Sequence, residues 1–462
     1  MMQLDRRELL TSAAASALAA GLPRDLKATS LQENRTFLEG ANRDFPYPTF
    51  AKTVINRYRL ASDFMADARY SVIDNPSSDN PYGAATVPLV TTNGLLGIVR
   101  PSALATTSGV DVRNGQIRLT YRPISNVTAL STWQVRLFSG TIVGSAGSNY
   151  HYCDMTNFKS QCTGANGTGA GRWQSVAAPT SAFSVKGMGA DLTSIRFKQN
   201  LFFGTASFEF GDVEFVPNPR SKGAVIIRMD DGDPSAYTVM KGLLDPVGAA
   251  GVLMPGAIGN TIGMGSNLSI AQYQALLADG WQSASQCFST ENNTIVDAWT
   301  RDQRMAEYTA ARNFVTPYGR RRDTYDGSFY SNVGFRDMIA WPELRDSFRT
   351  LTNFVNGSAT GVPLSVTEVF PFADPKNIVC LNLNSWGNVA DIYESHLFAA
   401  LEQTRAAKAV LIVGMHNEMN SPNYVSAIQK LRDYLTVQYP DQMEFSTIRK
   451  LLAPYNGDPL VG

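Results

Sequence analysis

The chain has 462 residues and carries 40 Lys plus Arg against 40 Asp plus Glu. A balanced charge gives no pull toward nucleic acid or anionic lipid, and this length leaves room for two domains, each with its own core. The one notable basic run, Arg320-Arg321-Arg322, reads as a solvated loop.

Near the start, Asp5-Arg6-Arg7-Glu8-Leu9-Leu10 precedes an apolar, Ala-rich run from Ala13 to Leu22. Paired arginines before a short apolar stretch resemble a twin-arginine export signal over residues 1–28, with cleavage expected between Ala20 and Ala28. The run is short for a bilayer span, and no later stretch is long and apolar enough for one. The expectation is an exported protein, periplasmic or extracellular. In such an oxidising compartment Cys153 and Cys162, which flank a polar loop, could form a disulfide. Cys287 and Cys380 sit in apolar surroundings and read as buried thiols. No CxxC pair is present, which excludes a structural zinc domain.

Residues 29–94 read as a lead-in segment that wraps around the next domain. From 95 to 217 the pattern is all-β. Gln116 to Arg122, Trp133 to Phe138, Ser194 to Phe197 and Ala206 to Phe210 alternate apolar and polar residues, with Gly/Ser/Asn/Thr-rich loops between them. Such alternation marks strands with one buried and one wet face, and several of them predict a jelly-roll-like β-sandwich. Gly211 to Pro217 reads as an edge strand ending at a proline. Tyr150, Tyr152 and Trp173 are candidates for stacking on sugar rings, and core packing explains each equally well.

After the linker Asn218 to Gly223, helix and strand alternate to the end of the chain. Strands are expected at Val225–Ile227, Ala250–Met254, Trp281–Phe288, Asn377–Leu383 and Ala409–Val413. Helices are expected at 234–247, 269–279, 292–312, 392–408 and 423–438. Repeated βα units of this kind predict a parallel sheet enclosed by helices over 218–462. The strand Gly223-Ala-Val-Ile-Ile-Arg-Met-Asp230 ends in Asp230-Asp231-Gly232, which places two carboxylates where α/β folds bind ligands.

Four motifs then fall in order. These are Met229-Asp230-Asp231-Gly232, Phe314-Val-Thr-Pro317-Tyr318-Gly319, Asn382-Leu-Asn-Ser-Trp386 and Val413-Gly-Met-His416-Asn417. They resemble the T-F-D-D-G, F-R-P-P-Y-G, D-x-D-x-W and L-H-D motifs of the NodB-type polysaccharide deacetylases, carbohydrate esterase family 4. The resemblance implies a distorted (β/α) barrel that removes N- or O-acetyl groups from a polysaccharide. It implies Asp230 as general base, Asp231 as a ligand of a zinc-type ion, and His416 as general acid. Pro317, Tyr318 and Trp386 would shape the substrate groove.

The sequence departs from that family at the metal. Where an H-x-x-x-H segment would supply two ligands, Gln286 and Thr290 stand in the histidine positions, and Val315 replaces the arginine that would orient the base. Of the three histidines, His151 falls in the β-domain and His396 within a helix, so His416 alone is placed for chemistry. Asp231, Gln286 and Glu291 offer oxygen ligands that suit calcium or magnesium better than zinc. Zinc lowers the pKa of its bound water from about 15.7 to about 7, whereas a general base alone contributes on the order of 10²–10⁴-fold. Two functions are compatible with these residues: a glycan deacetylase with an altered site, or a catalytically inactive glycan-binding protein of the cell envelope on the same scaffold.

Overall fold

The computed structural model describes residues 47–77, 86–94, 97–99, 101–102, 108–125, 131–140, 149–155, 173–256, 262–289, 298–328, 347–356, 367–375, 378–383 and 390–456. The expected export segment, Cys162, Thr290, Glu291 and Trp386 lie outside these residues.

Before residue 218 every strand pairing among the described residues is antiparallel. One sheet runs β2 (Tyr70–Ser77), β3 (Val87–Thr92), β11 (Ser207–Pro217), β5 (Gly115–Ser125), β8 (Gln174–Pro179), with β1 (Thr53–Asn56) also on β11. The other runs β4 (Gly97–Val99), β10 (Phe197–Phe203), β6 (Thr132–Phe138), β7 (Tyr150–Asp154), β9 (Ser184–Lys186). The period-two pattern sends Ile117, Leu119 and Tyr121 from one sheet, and Trp133, Val135 and Leu137 from the other, into a shared core. Each such side chain contributes about 1.5–3 kcal/mol on burial.

Three expectations change here. Residues 53–92 are not only a lead-in, because three of their segments pair into the first sheet. β11 is central rather than an edge, flanked by β3 and β5, and its proline sits at the strand end opposite Gly115. Trp173 is buried against Val87 and presents no ring for stacking.

After residue 222 the sheet is parallel, in the order β14 (Gln282–Ser283), β13 (Val252–Met254), β12 (Gly223–Asp230), β19 (Val410–Met415), β18 (Ile378–Asn382), β16 (Thr350–Asn356), β15 (Asp326–Ser328). Just past β14, Ser285 pairs with Gly327 of β15. Its N–H donates to Asp326 O at 3.0 Å, and its carbonyl accepts from Ser328 N at 3.1 Å. The two sheet edges therefore meet, and the sheet curls into a small barrel. β20 (Met443–Phe445) adds in parallel to β12, and β17 (Thr367–Glu368) adds antiparallel to β19.

Helices cover the outside: α1 (Lys241–Leu244), α2 (Ile270–Ala278), α3 (Arg301–Val315), α4 (Ala390–Ala407) and α5 (Pro422–Asp433). α2 starts on a capping box, with Ser269 and Gln272 bonding each other's backbone N–H, and stops at Gly280, whose φ of 91° favours glycine. Alternate residues of β12 divide between two cores. Val225, Ile227 and Met229 face the helices, while Ala224 and Ile226 face the barrel interior with Ile378, Cys380 and Ile412. α6 (Ile448–Asn456) packs Ile448, Leu451 and Leu452 into that interior cluster.

The second domain meets the residues before it through aromatic rings, Tyr47 and Phe50 packing on Phe372 and Phe370, and through polar groups. Gln116 Nε2 donates to the Pro371 carbonyl at 2.6 Å, Arg118 Nη2 reaches the same oxygen at 3.2 Å, and Phe372 N donates to Tyr47 Oη at 2.9 Å. Nearby Glu368 is buried and accepts Val379 N at 3.1 Å. Burial pushes its carboxyl up to about 8, helped by Asp374 and opposed by the Val379 bond and Arg118. Folded Glu368 thus keeps a proton that the unfolded chain has already released. Its contribution to stability is full below about 4.5 and fades as pH rises toward about 8. Chemical denaturation at pH 5 and pH 8 should therefore show a stability loss with rising pH that is clearly smaller in Glu368→Gln.

Candidate functional site

β12 places Arg228 and Asp230 two residues apart, on the same interior-facing side of the strand. Both side chains are fully buried. Arg228 Nε donates to Asp230 Oδ1 at 2.7 Å and Nη2 to Oδ2 at 2.5 Å, forming a two-point fork. The guanidinium is pinned from across the barrel: Nη1 donates to Thr352 Oγ1 and Nη2 to Ser328 Oγ, both at 2.8 Å. Burial, the largest single effect, depresses the guanidinium, but the Asp230 charge and hydrogen bond together with Cys380 and Asp231 outweigh it and hold Arg228 above its ordinary value. The Cys380 thiol lies against the same guanidinium, and burial pushes it up to about 12, so it stays protonated at neutral pH.

Asp231 follows with a φ of 60°, left-handed for a residue that is not glycine, and Gly232 continues at 67°. The turn is held by Asp231 N donating to Met254 O at 3.1 Å and Leu268 N donating to Gly232 O at 2.9 Å. This conformation turns the Asp231 carboxylate out of the barrel, where it is 35% exposed. On the neighbouring strand, Met415 pairs with Met229, so the next residue, His416, stands at the level of Asp230. His416 Nε2 lies 3.5 Å from Asp231 Oδ2 and 4.0 Å from Asp230 Oδ2, with the side chain 27% exposed. The structure thus brings Asp230, Asp231 and His416 together at the carboxyl ends of two adjacent strands.

Solved structures similar to this chain include an acetyl xylan esterase of family 4 from Clostridium thermocellum, at 13% identity and a TM-score of 0.33, covering 51% of this chain and 93% of that one. A family 4 domain of a xylanase from the hindgut metagenome of Trinervitermes trinervoides matches at 13% and 0.32, covering 52% and 94%. A family 4 pseudoenzyme from Bacillus anthracis matches at 10% and 0.33, covering 50% and 66%. Carbohydrate esterase family 4 deacetylases are what this chain resembles in structure. No family model and no curated protein matches it.

The other expected site residues are placed differently. Pro317 and Tyr318 belong to the turn that ends α3, on the outer side of β14. Tyr318 packs against Phe314 and Tyr273, and Gly319 sits over Ser283. α3 runs through Val315, so the motif letters fall on its stop signal rather than on a strand end. Val315 is buried in the outer core, so its position is not where a partner for Asp230 would stand. Arg228 fills that role from within β12. Reading the sequence alone missed it, although one basic residue in an apolar strand, two before an acid, is a readable signal. His151 accepts Ala190 N at 3.0 Å in the β-domain, and His396 lies half-buried in α4.

The donor set does not fit a zinc-type ion. Among the described residues no group of three or more His, Cys, Asp or Glu side chains is arranged to hold a metal ion, and within the Asp230, Asp231 and His416 group Asp230 is already paired with Arg228. At one expected ligand position stands Gln286, a neutral amide, buried, with Oε1 lacking a hydrogen-bond partner.

The buried pair and the strained turn each set a measurable stability. Arg228→Met leaves Asp230 buried and unpaired and should cost about 3–5 kcal/mol, most of it recovered in Arg228→Met/Asp230→Leu, as read by chemical denaturation. Asp231→Gly relieves the left-handed strain and should gain about 0.5–1 kcal/mol by the same measurement.

Proposed function

We propose that the chain is an exported polysaccharide deacetylase-like protein that hydrolyses N- or O-acetyl groups on a glycan at the barrel mouth, through an altered site. The observation that carries this reading is His416 Nε2 held within 4.0 Å of one acid and 3.5 Å of another at adjacent strand ends. Asp230 takes a proton from water as the water oxygen bonds to the acyl carbon. His416 gives a proton to the departing nitrogen or oxygen as its bond to that carbon breaks. Acetate and a free amine or hydroxyl leave, and transfer of the proton from Asp230 to His416 resets the pair. The fork leaves each Asp230 oxygen with an unused lone pair, so Arg228 orients the base without blocking it.

The β-domain belongs to the same reading. The order β3-β11-β5-β8 facing β4-β10-β6-β7 interleaves the strands as a jelly roll does, which supports that architecture. Tyr150 and Tyr152 are half-buried on β7, their rings 6.1 Å apart, and Arg136 stacks over Tyr150 at 4.6 Å. Amphipathic rings beside a guanidinium suit a carbohydrate, and we assign this face a supporting role in holding the glycan.

One observation favours the second reading, an inactive glycan-binding protein of the cell envelope: the described donor set does not fit the ion on which the family's chemistry rests. An acetate-release assay on N- and O-acetylated glycans, run with added divalent ions and with a chelator, separates the two. The deacetylase reading expects slow release that Asp230→Asn and His416→Ala lower by about 10²–10⁴-fold. Glycan binding that survives Asp230→Asn, without acetate release under any condition, supports the inactive protein instead.

A further inference from the structure

We infer that Arg228, buried behind Asp230, is the resident cation that sets the direction of that acid at the barrel mouth, and that the site does not take up zinc. The inference rests on reading the mouth as an acyl-hydrolysing site.

Three observations carry it. First, Arg228 brings a charge that does not titrate away, because a guanidinium stays protonated across the range in which proteins fold. Second, its position is over-determined. The planar fork fixes both Asp230 oxygens at 2.7 and 2.5 Å, and hydroxyls on two further strands, Thr352 and Ser328, hold the guanidinium at 2.8 Å each. A side chain tied to three barrel strands sets the direction in which Asp230 Oδ2 points, and that oxygen is the one 4.0 Å from His416. Third, the carboxylates are already committed. Asp230 is neutralised by Arg228, and Asp231 lies 3.5 Å from His416 Nε2. Gln286 adds no charge at one expected ligand position. A doubly charged ion entering here would meet a fixed positive charge and too few anionic donors to offset the loss of its hydration shell.

Arg228 is on this account a positioning residue: it acts through Asp230 and does not touch the reacting atoms. Calorimetric titration of the purified full chain with zinc chloride tests the first half of the inference, with no stoichiometric binding expected. One equivalent taken up by the wild type and lost in Asp231→Asn overturns it. Arg228→Lys tests the second half, since it keeps the charge and removes the planar fork. We expect kcat for acetate release to fall on the order of 10²-fold with KM unchanged, as for a base held slightly off its line. An unchanged kcat, or a rise in KM alone, overturns the positioning role. Should Arg228→Lys fail to fold, zinc titration of the wild type still decides whether the site is free of metal. A wild type that releases no acetate and binds no zinc refutes the hydrolytic reading while leaving Arg228 as the resident cation.

Discussion

Two opposite charges sealed inside a small barrel are the constraint around which the second domain is arranged. Asp230 and Arg228 are both fully buried, and desolvating two ions costs more than their attraction returns unless every remaining donor and acceptor is met. Ser328 on β15 and Thr352 on β16 meet the donors that Asp230 leaves over. These partners lie across the interior, so the ion pair is satisfied only when the sheet curls far enough to bring β15 and β16 opposite β12. The single bridge from Ser285 to Gly327 accomplishes that closure. A second fork, Arg349 to Asp326 at 2.9 and 2.5 Å, lies in the same barrel, with Thr350 and Gln282 bonding to the same carboxylate. The interior is therefore divided, with hydrogen-bonded ion pairs in one part and an apolar cluster, packed by α6, in the other.

The parts of this fold that were legible in the sequence are those governed by local period and by strand-end chemistry. Alternation in Gln116–Arg122 and Trp133–Phe138 marked two strands of the antiparallel sheets, and the apolar runs at Val225 and Val410 marked two parallel strands that prove to be neighbours. Asp230 and His416 could be read as a pair because each directly ends an apolar strand. What local pattern cannot encode is pairing across long separations. β1, β2 and β3 contain few alternating positions each; β1 and β3 join the first sheet by pairing with β11, more than a hundred residues later, and β2 joins through β3. The Pro317-Tyr318-Gly319 letters stand in a different local setting. Thr300 and Gln303 form a capping box that starts α3, and its amphipathic spacing continues to Val315, so a proline and a glycine just beyond are a helix stop. Letters that matched a strand-end motif carried helix-end physics.

Arg228 shows where consistency between levels breaks and why that matters. Local rules place a β-branched or apolar residue in the middle of a fully buried strand, and the sequence places an arginine there. Asp231 breaks a second rule, adopting a left-handed backbone angle beside a glycine that would accept it without strain. Both departures lie within four residues of one another, and both serve to present carboxylates toward His416. Replacing a buried ion pair with apolar residues of similar volume is often neutral or stabilising by about 1–4 kcal/mol, and glycine at a left-handed position relieves roughly another 1 kcal/mol.

A scaffold used only for binding through its β-domain has no physical need of either departure, since the barrel would be at least as stable without them. A site without zinc would be slower than one that holds it, because a general base offsets only a small part of the roughly eight to nine orders of magnitude in hydroxide that the ion supplies. That does not argue for loss of all chemistry. An acid fixed by a fork, a second acid turned outward under strain, and an imidazole between them form an arrangement held against the stability gradient. On the reading proposed above, this is the pattern of a site with a slower reaction, since residues under no such demand are free to relax toward ordinary core packing.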